Sequence, residues 1–154
     1  MQEKSSIFTE YPRPQLKRES FFNLNGKWLV NESEIIVPFP PESKASEYNG
    51  KLCSTYEYKK EFELPDDFVT ALKNQNQKNR LILHFGAVDQ KATVFVNDIF
   101  VGSHLGGYLP FSFDITDYLE NYSEKQKITL VAEDNLNHFF PYGKQKKNRG
   151  GMWY

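Results

Sequence analysis

The sequence predicts an all-β fold, an antiparallel β-sandwich or jelly roll, and three observations support that class. Apolar and polar side chains alternate clearly between Tyr56 and Leu64, as they do in a half-buried strand. Asn97-Asp98 joins two further alternating runs, and these two residue types tolerate the positive φ angles of a tight hairpin turn. Turn signals recur every 8–15 residues with almost no helical periodicity, which is typical of sandwiches and jelly rolls.

The first half of the sequence predicts a lead-in segment followed by strands. Residues 1–19 are polar and contain two prolines, which predicts an extended lead-in segment. Asn25-Gly26 turns the chain into a first strand over Lys27–Val30, and a second short strand follows over Ile35–Val37. Within the Tyr56–Leu64 strand, Lys60 falls on the apolar face, where its long stem can lie with the ammonium at the edge.

The second half of the sequence predicts a polar loop and five more strands. Residues 66–80 form the loop, with a short helical turn over Phe68–Leu72. Strands are predicted at 80–88, on both sides of the Asn97-Asp98 turn, at 111–115 and at 127–132. Gly106-Gly107 permits unusual backbone angles, and Tyr108 is expected to cover the end of the sandwich. Thr116 is expected to be the N-cap of a single helical turn.

Composition excludes several classes of protein. With 19 basic and 20 acidic residues, the chain lacks the excess of positive charge that attracts nucleic acids or anionic membranes. One cysteine excludes an internal disulfide, and three histidines show no metal-ligand spacing, so neither a metal nor a cofactor is expected. The N-terminus has no apolar core of a signal peptide, and no apolar run approaches the length of a membrane span. The compartment stays open between cytoplasm and periplasm.

Several sequence blocks, in order, resemble one family. They read YPRPQL, LNGKW, VPFPPES, HFGAVD, VFVND and VGSHLGGYLPFSFDIT. Together they resemble the N-terminal sugar-binding domain of glycoside hydrolase family 2, the family of β-galactosidases and β-glucuronidases. The resemblance runs from about Tyr11 to Tyr154 and implies a galactose-binding-domain-like jelly roll.

The resemblance also implies which domain carries the catalytic residues and which residues of this chain contact the sugar. In the family both catalytic glutamates belong to a barrel domain that this chain lacks, so no catalytic residue is expected here. The loop that ends the family's sugar-binding domain reaches into the active site, and the part matching Met152-Trp153-Tyr154 comes closest to the sugar. Gly150-Gly151 stands where some members carry a sugar-contacting acid. The candidate substrate-binding residues are Trp153, Tyr154, Arg149, Asp134 and Asn135.

Simpler interpretations of these residues stay open. Trp153 and Tyr154 also suit core or interface positions, and Arg149 with its neighbouring lysines suits a solvated basic loop. Three functions follow: a non-catalytic domain that shapes the pocket of a parent β-glycosidase, a free-standing carbohydrate-binding module, or a docking domain without sugar contact.

In the family, the segment that matches the C-terminus leads into another strand, then into immunoglobulin-like and barrel domains. The resemblance therefore implies that residues 20–154 are a jelly roll truncated before its last strand. A missing strand leaves an unpaired sheet edge. We expect either that Lys127–Ala132 or a strand beside the vacancy pairs with a second molecule as a dimer, or that residues 135–154 fold back over the gap.

Overall fold

A computed structural model describes residues 20–135 and residue 139. The described residues form two antiparallel sheets with one α-helix and two short 3₁₀ turns. A six-stranded sheet has the order β2-β1-β3-β8-β5-β6, and β4 pairs with β7 in a second sheet. The all-β antiparallel sandwich predicted from the sequence is confirmed. The elements are β1 Gly26–Val30, β2 Ser33–Val37, β3 Thr55–Phe62, α1 Asp66–Lys73, β4 Ile82–Phe85, β5 Lys91–Val96, β6 Ile99–Leu105, β7 Phe111–Asp114 and β8 Gln126–Glu133.

The β5–β6 connection is the tight turn that its residue types predict. Asn97 and Asp98 have φ angles of 49° and 65°, in the left-handed region that Asn and Asp tolerate. The Asn97 side chain also holds the start of β8, because its Oδ1 accepts from the Lys127 amide at 2.9 Å and its Nδ2 donates to Gln126 Oε1 at 2.8 Å. The Asn97 side chain therefore links the β5–β6 hairpin to β8.

Strand β3 confirms the predicted alternation. Tyr56, Tyr58 and Phe62 are buried, and Lys60 is half-buried on the same face. The Lys60 ammonium donates a hydrogen bond of 2.8 Å to the carbonyl of Lys27, and burial lowers the pKa of this lysine. Its stem thus lies along the apolar face with its charge at the strand edge, as expected.

The core lies between the two sheets. The inward apolar side chains of β5 and β8 are at most 1% exposed, and those of β4 close the opposite side. Trp28 is also buried, and its indole Nε1 donates to the Leu24 carbonyl at 2.8 Å. The buried apolar side chains of these three strands are Ala92, Val94, Val96, Ile128, Leu130, Ala132, Leu83 and Phe85.

The structure corrects several local expectations. Helix α1 is longer than the single turn predicted at Phe68–Leu72, and β4 is shorter than the predicted strand at 80–88. Thr116 is not an N-cap: Ile115 precedes the 3₁₀ turn without a side-chain cap, while the Thr116 hydroxyl accepts from the Leu81 amide at 2.8 Å. Tyr108 is 64% exposed and so does not cover the end of the sandwich.

The expected open edge is not at β8. Strand β8 pairs with β3 along one side and with β5 along the other, so Lys127–Ala132 is a central strand with no free edge. Within the described residues, the six-stranded sheet ends at β2 and β6. The lead-in segment 1–19 and nearly all of the tail expected to fold back lie outside the described residues.

Candidate functional site

The structure describes two of the five predicted site residues. Asp134 and Asn135 follow β8 directly, whereas Arg149, Trp153 and Tyr154 lie outside the described residues. Asn135 is exposed, but Asp134 is buried, with 7% of its surface accessible. The two neighbours therefore differ in what they can contact: Asn135 faces solvent, and Asp134 faces the protein.

Asp134 is fixed through its backbone. Its amide donates a 2.8 Å hydrogen bond to the carbonyl of Ser54, which precedes β3. Its carboxyl oxygen Oδ2 is buried and has no hydrogen-bond partner within the part of the chain that the structure describes. A buried acceptor without a donor is unfavourable, because the desolvation of the group is not compensated.

Two more carboxyl groups act electrostatically on Asp134. Burial raises the pKa of Asp134 to about 6, and the negative charges of Asp89 and Glu42 contribute to the rise. Asp89 is 5% exposed in the loop between β4 and β5. Glu42 lies in the loop between β2 and β3, and its Oε2 is buried without a partner among the described residues. We call Glu42, Asp89 and Asp134 the carboxyl cluster.

Backbone hydrogen bonds join the segments around the cluster. The Gln90 amide donates to the Glu133 carbonyl at 3.1 Å, and the Gly106 amide donates to the Gln90 carbonyl at 2.7 Å. The loop that carries Asp89 is thus held between the end of β8 and the end of β6.

The Gly106-Gly107 pair is structural, as the sequence suggested. Gly106 has a φ of +119°, which L side chains rarely adopt. A Cβ on Gly107 would lie 2.3 Å from Asp89 Oδ1. Only glycine allows the backbone to approach the Asp89 carboxyl this closely, so a larger residue at position 107 would displace the Asp89 side chain.

A shallow polar depression opens beside Glu42. It has a volume of about 300 Å³ and is lined by residues 41–44 and 47–49. Exposed apolar side chains lie on the Gly106-Gly107 side, since Leu105, Tyr108 and Leu109 are each more than 60% exposed. These exposed apolar groups suit contact with another protein surface, whereas the carboxyl groups of Asp89 and Asp134 are buried.

Other kinds of site find no support in residues 20–135. No group of three His, Cys, Asp or Glu side chains within that range is placed to hold a metal ion. None of the helices described there is long and apolar enough to cross a membrane.

Sequence reasoning missed Glu42 and Asp89. Both lie in blocks that carry the resemblance, VPFPPES and HFGAVD. The two acids are 47 positions apart in the sequence, so only the folded chain shows that both act electrostatically on Asp134.

Comparisons with known proteins find one matching family and several longer relatives. The model of the family described as "Glycosyl hydrolases family 2, sugar binding domain" matches residues 34–137, which include the carboxyl cluster and Asn135. A β-galactosidase of Thermoanaerobacter pseudethanolicus is 35% identical over 81 residues, covering 53% of this chain and 10% of the relative. A β-glucuronidase of Streptococcus agalactiae is 28% identical over 135 residues, covering 79% of this chain and 21% of the relative.

The same similarity extends to a solved structure. Bifidobacterium dentium β-glucuronidase, solved with coumarin-3-O-glucuronide, superimposes with a TM-score of 0.57 at 25% identity. The match covers 71% of this chain and 19% of that one. The chain thus spans only about a tenth to a fifth of the length of these relatives.

Proposed function

Because the chain belongs to the sugar-binding domain family of the family 2 glycosyl hydrolases, we propose that it serves a larger β-glycosidase as a non-catalytic domain that shapes the substrate pocket. The observation that carries this proposal is the family match over residues 34–137. It is supported by relatives named β-galactosidase and β-glucuronidase, of which the matched part is a small fraction. The catalytic carboxyl groups, the immunoglobulin-like domain and the barrel would belong to the rest of the enzyme.

The proposed sugar-facing residues follow β8. Asn135 is exposed at the end of the strand and offers both a donor and an acceptor for sugar hydroxyl groups. Further along, Arg149 offers a planar donor, and Trp153 and Tyr154 offer aromatic faces for the sugar C–H groups. We assign Asp134 to positioning rather than to direct contact, because it is buried and its backbone is tied to Ser54.

Kinetics of the full-length enzyme test these roles. Asn135→Ala and Trp153→Ala should raise KM several-fold with a smaller effect on kcat, since they would remove contacts made before the chemical step. Asn76→Ala is the matched control, because Asn76 is an exposed asparagine in the loop after α1, and it should leave both constants unchanged. Unaltered KM in both site variants would contradict the proposal.

Calorimetry of the isolated chain separates this function from that of a free-standing carbohydrate-binding module. A dependent domain supplies only part of a pocket, so we expect no measurable heat with galactosides, glucuronides or polysaccharides. Millimolar or tighter binding would favour the module instead.

One observation favours an additional docking role. Leu105, Tyr108 and Leu109 expose large apolar surfaces at the cluster end of the domain, and such groups are frequent in interfaces between proteins. Leu105→Ser with Leu109→Ser in the full-length enzyme should weaken assembly while the assembled fraction keeps its kinetic constants. Unchanged assembly would remove this role and leave the pocket function untouched.

A further inference from the structure

The β2–β3 loop carries an asparagine that is followed directly by a glycine. Asn49 is exposed and Gly50 is half-buried, and both lie in the irregular stretch between the 3₁₀ turn Lys44–Ser46 and β3. We propose that Asn49-Gly50 is a site of spontaneous deamidation, at which the side-chain amide of Asn49 is converted to a carboxyl group as the protein ages.

The reaction needs only these two residues and water. The backbone nitrogen of Gly50 loses its proton and attacks Cγ of Asn49, and the new bond closes a succinimide ring. The bond between Cγ and Nδ2 breaks, and Nδ2 leaves as ammonia with the proton that the backbone nitrogen gave up. Water then opens the ring at either of its carbonyl carbons, which leaves aspartate or isoaspartate at position 49.

Both reacting groups of this pair are available. Among residues 20–135, no hydrogen bond involves the Asn49 side chain or the backbone amide of Gly50. A backbone amide that donates within the fold must first give up its hydrogen bond before its nitrogen can attack, and that loss is unfavourable. Neither group of the Asn49-Gly50 pair carries this cost.

The packing of Tyr48 explains why a glycine occupies position 50. A Cβ on Gly50 would lie 2.3 Å from Oη and 2.4 Å from Cζ of Tyr48. The Tyr48 hydroxyl also donates to the Lys51 carbonyl at 3.3 Å, so the ring is held against Gly50. Since glycine has no side chain to hinder its own nitrogen, the loop requires at this position the residue that obstructs the reaction least.

The sequence contains a second such pair, Asn25-Gly26, in a different setting. Gly26 is buried at the start of β1, where it lies opposite Val37 of β2. The β1–β2 connection has two residues, so Val30 and Ser33 on either side of it form a hydrogen-bonded pair, and such pairs alternate along an antiparallel ladder. The pair of Gly26 with Val37 belongs to the same set. The Gly26 amide is therefore engaged in the sheet and is not available to attack.

Deamidation changes both the charge and the backbone of this loop. Asn49 lines the polar depression together with Glu42 and Glu47, so the product adds a further carboxyl group to a surface that already carries acids. Isoaspartate also lengthens the backbone by one carbon atom. The altered loop leads to Ser54, whose carbonyl accepts the hydrogen bond from the Asp134 amide, so the change lies close in sequence to the contact that holds the end of β8.

Peptide mapping by mass spectrometry, during incubation of the folded chain near neutral pH, measures the reaction at each asparagine. We expect Asn49 to deamidate at least about tenfold faster than Asn25, because Asn25 can react only after the end of β1 has opened. Asn76 is the second control, an exposed asparagine followed by Gln77, and it should also react at least about tenfold more slowly, because its neighbour has a side chain. Equal rates at Asn49 and at either control would overturn the proposal.

Two further measurements separate the effect of the fold from that of the sequence. In short peptides spanning residues 20–30 and 44–54, both Asn-Gly pairs should deamidate at similar rates, because neither is held in a sheet; a difference as large as in the folded chain would refute the protection of Asn25 by β1. Ageing should also produce a more acidic form that ion exchange separates from the parent, and Asn49→Gln should not produce it. The same acidic form in Asn49→Gln would contradict the assignment to this residue. No sugar is present, so neither result depends on the proposed function.

Discussion

Gly102 lies close to Phe113 of the second sheet, and filling the space between them with a single methyl group should destabilise the domain. Gly102 lies in β6 opposite Val94, next to an irregularity in the β5–β6 register. A Cβ at this position would lie 2.4 Å from Cε1 of Phe113 in β7. Carbon atoms in favourable contact are about 3.5–4.0 Å apart, so the Phe113 ring or the strands must move by more than an ångström.

The sign of the effect distinguishes this clash from the ordinary effect of glycine. At an unstrained position, Gly→Ala stabilises by about 0.4–1 kcal/mol, because it restricts the unfolded chain. Overpacking a well-packed site costs about 1–3 kcal/mol. We expect Gly102→Ala to lower the free energy of unfolding by about 1–2 kcal/mol. For a domain of this size, each kcal/mol lowers the melting temperature by about 2–4 °C.

Urea unfolding followed by circular dichroism measures the change. Ser103→Ala is the matched control, an exposed neighbour on the same strand, and it should stay within about 0.5 kcal/mol of the parent. In a Phe113→Leu background the cost of Gly102→Ala should shrink, since the ring that meets the methyl group is gone. A neutral or stabilising Gly102→Ala, or an equal cost in both backgrounds, would refute the contact as its cause.

Three further substitutions test other parts of the structure. Asn97→Gly keeps the positive φ but loses the side-chain hydrogen bonds to Tyr118, Gln126 and Lys127. Urea unfolding should therefore show a free energy of unfolding lower by about 1–3 kcal/mol. An unchanged midpoint would mean that the turn conformation alone matters. Leu130→Ala, at a fully buried site on the central strand, should cost about 2–5 kcal/mol in the same assay, and a cost below 1 kcal/mol would contradict the assignment of the core. The folded state holds the Asp134 proton more tightly than the unfolded state does, so stability of the parent should fall as pH rises from about 4 to about 6. The rise of the pKa from 3.8 to about 6 corresponds to at most about 3 kcal/mol of stability. Thermal unfolding measured across pH should show no such fall for Asp134→Asn, and this variant should be more stable than the parent at pH 7.5.

Local signals in the sequence predicted much of the fold. The alternation from Tyr56 to Leu64 and the Asn97-Asp98 turn depend on side-chain periodicity and on φ preferences of single residues, and the structure confirms both. Lys60 was also placed correctly, because its position on the apolar face follows from the same period of two. The resemblance then supplied the jelly-roll class, which neither signal defines alone.

Features that depend on pairing between distant segments were not predictable in this way. The position of β8 between β3 and β5 is decided by which strands meet, and nothing in residues 126–133 alone specifies it. Thr116 has the residue type of an N-cap, yet its hydroxyl accepts from Leu81, on a segment 35 residues away. The electrostatic effect of Glu42 and Asp89 on Asp134 could not be predicted for the same reason, since the three acids lie on segments that are distant in sequence.

The two ends of β8 differ in whether a titratable side chain is buried there, and this difference locates the effect of pH. At the start of the strand, the amide side chain of Asn97 bonds to Lys127 and Gln126 without titrating. At the other end, about 25 Å away for an eight-residue strand, the buried Asp134 carboxyl takes up or releases a proton near pH 6. Between them, Leu130 and its buried neighbours remain apolar and insensitive to pH. Deprotonation of Asp134 should therefore destabilise this end of β8 while the centre of the sheet stays folded, so that the Asp134 amide exchanges by local opening before the amides of the core do.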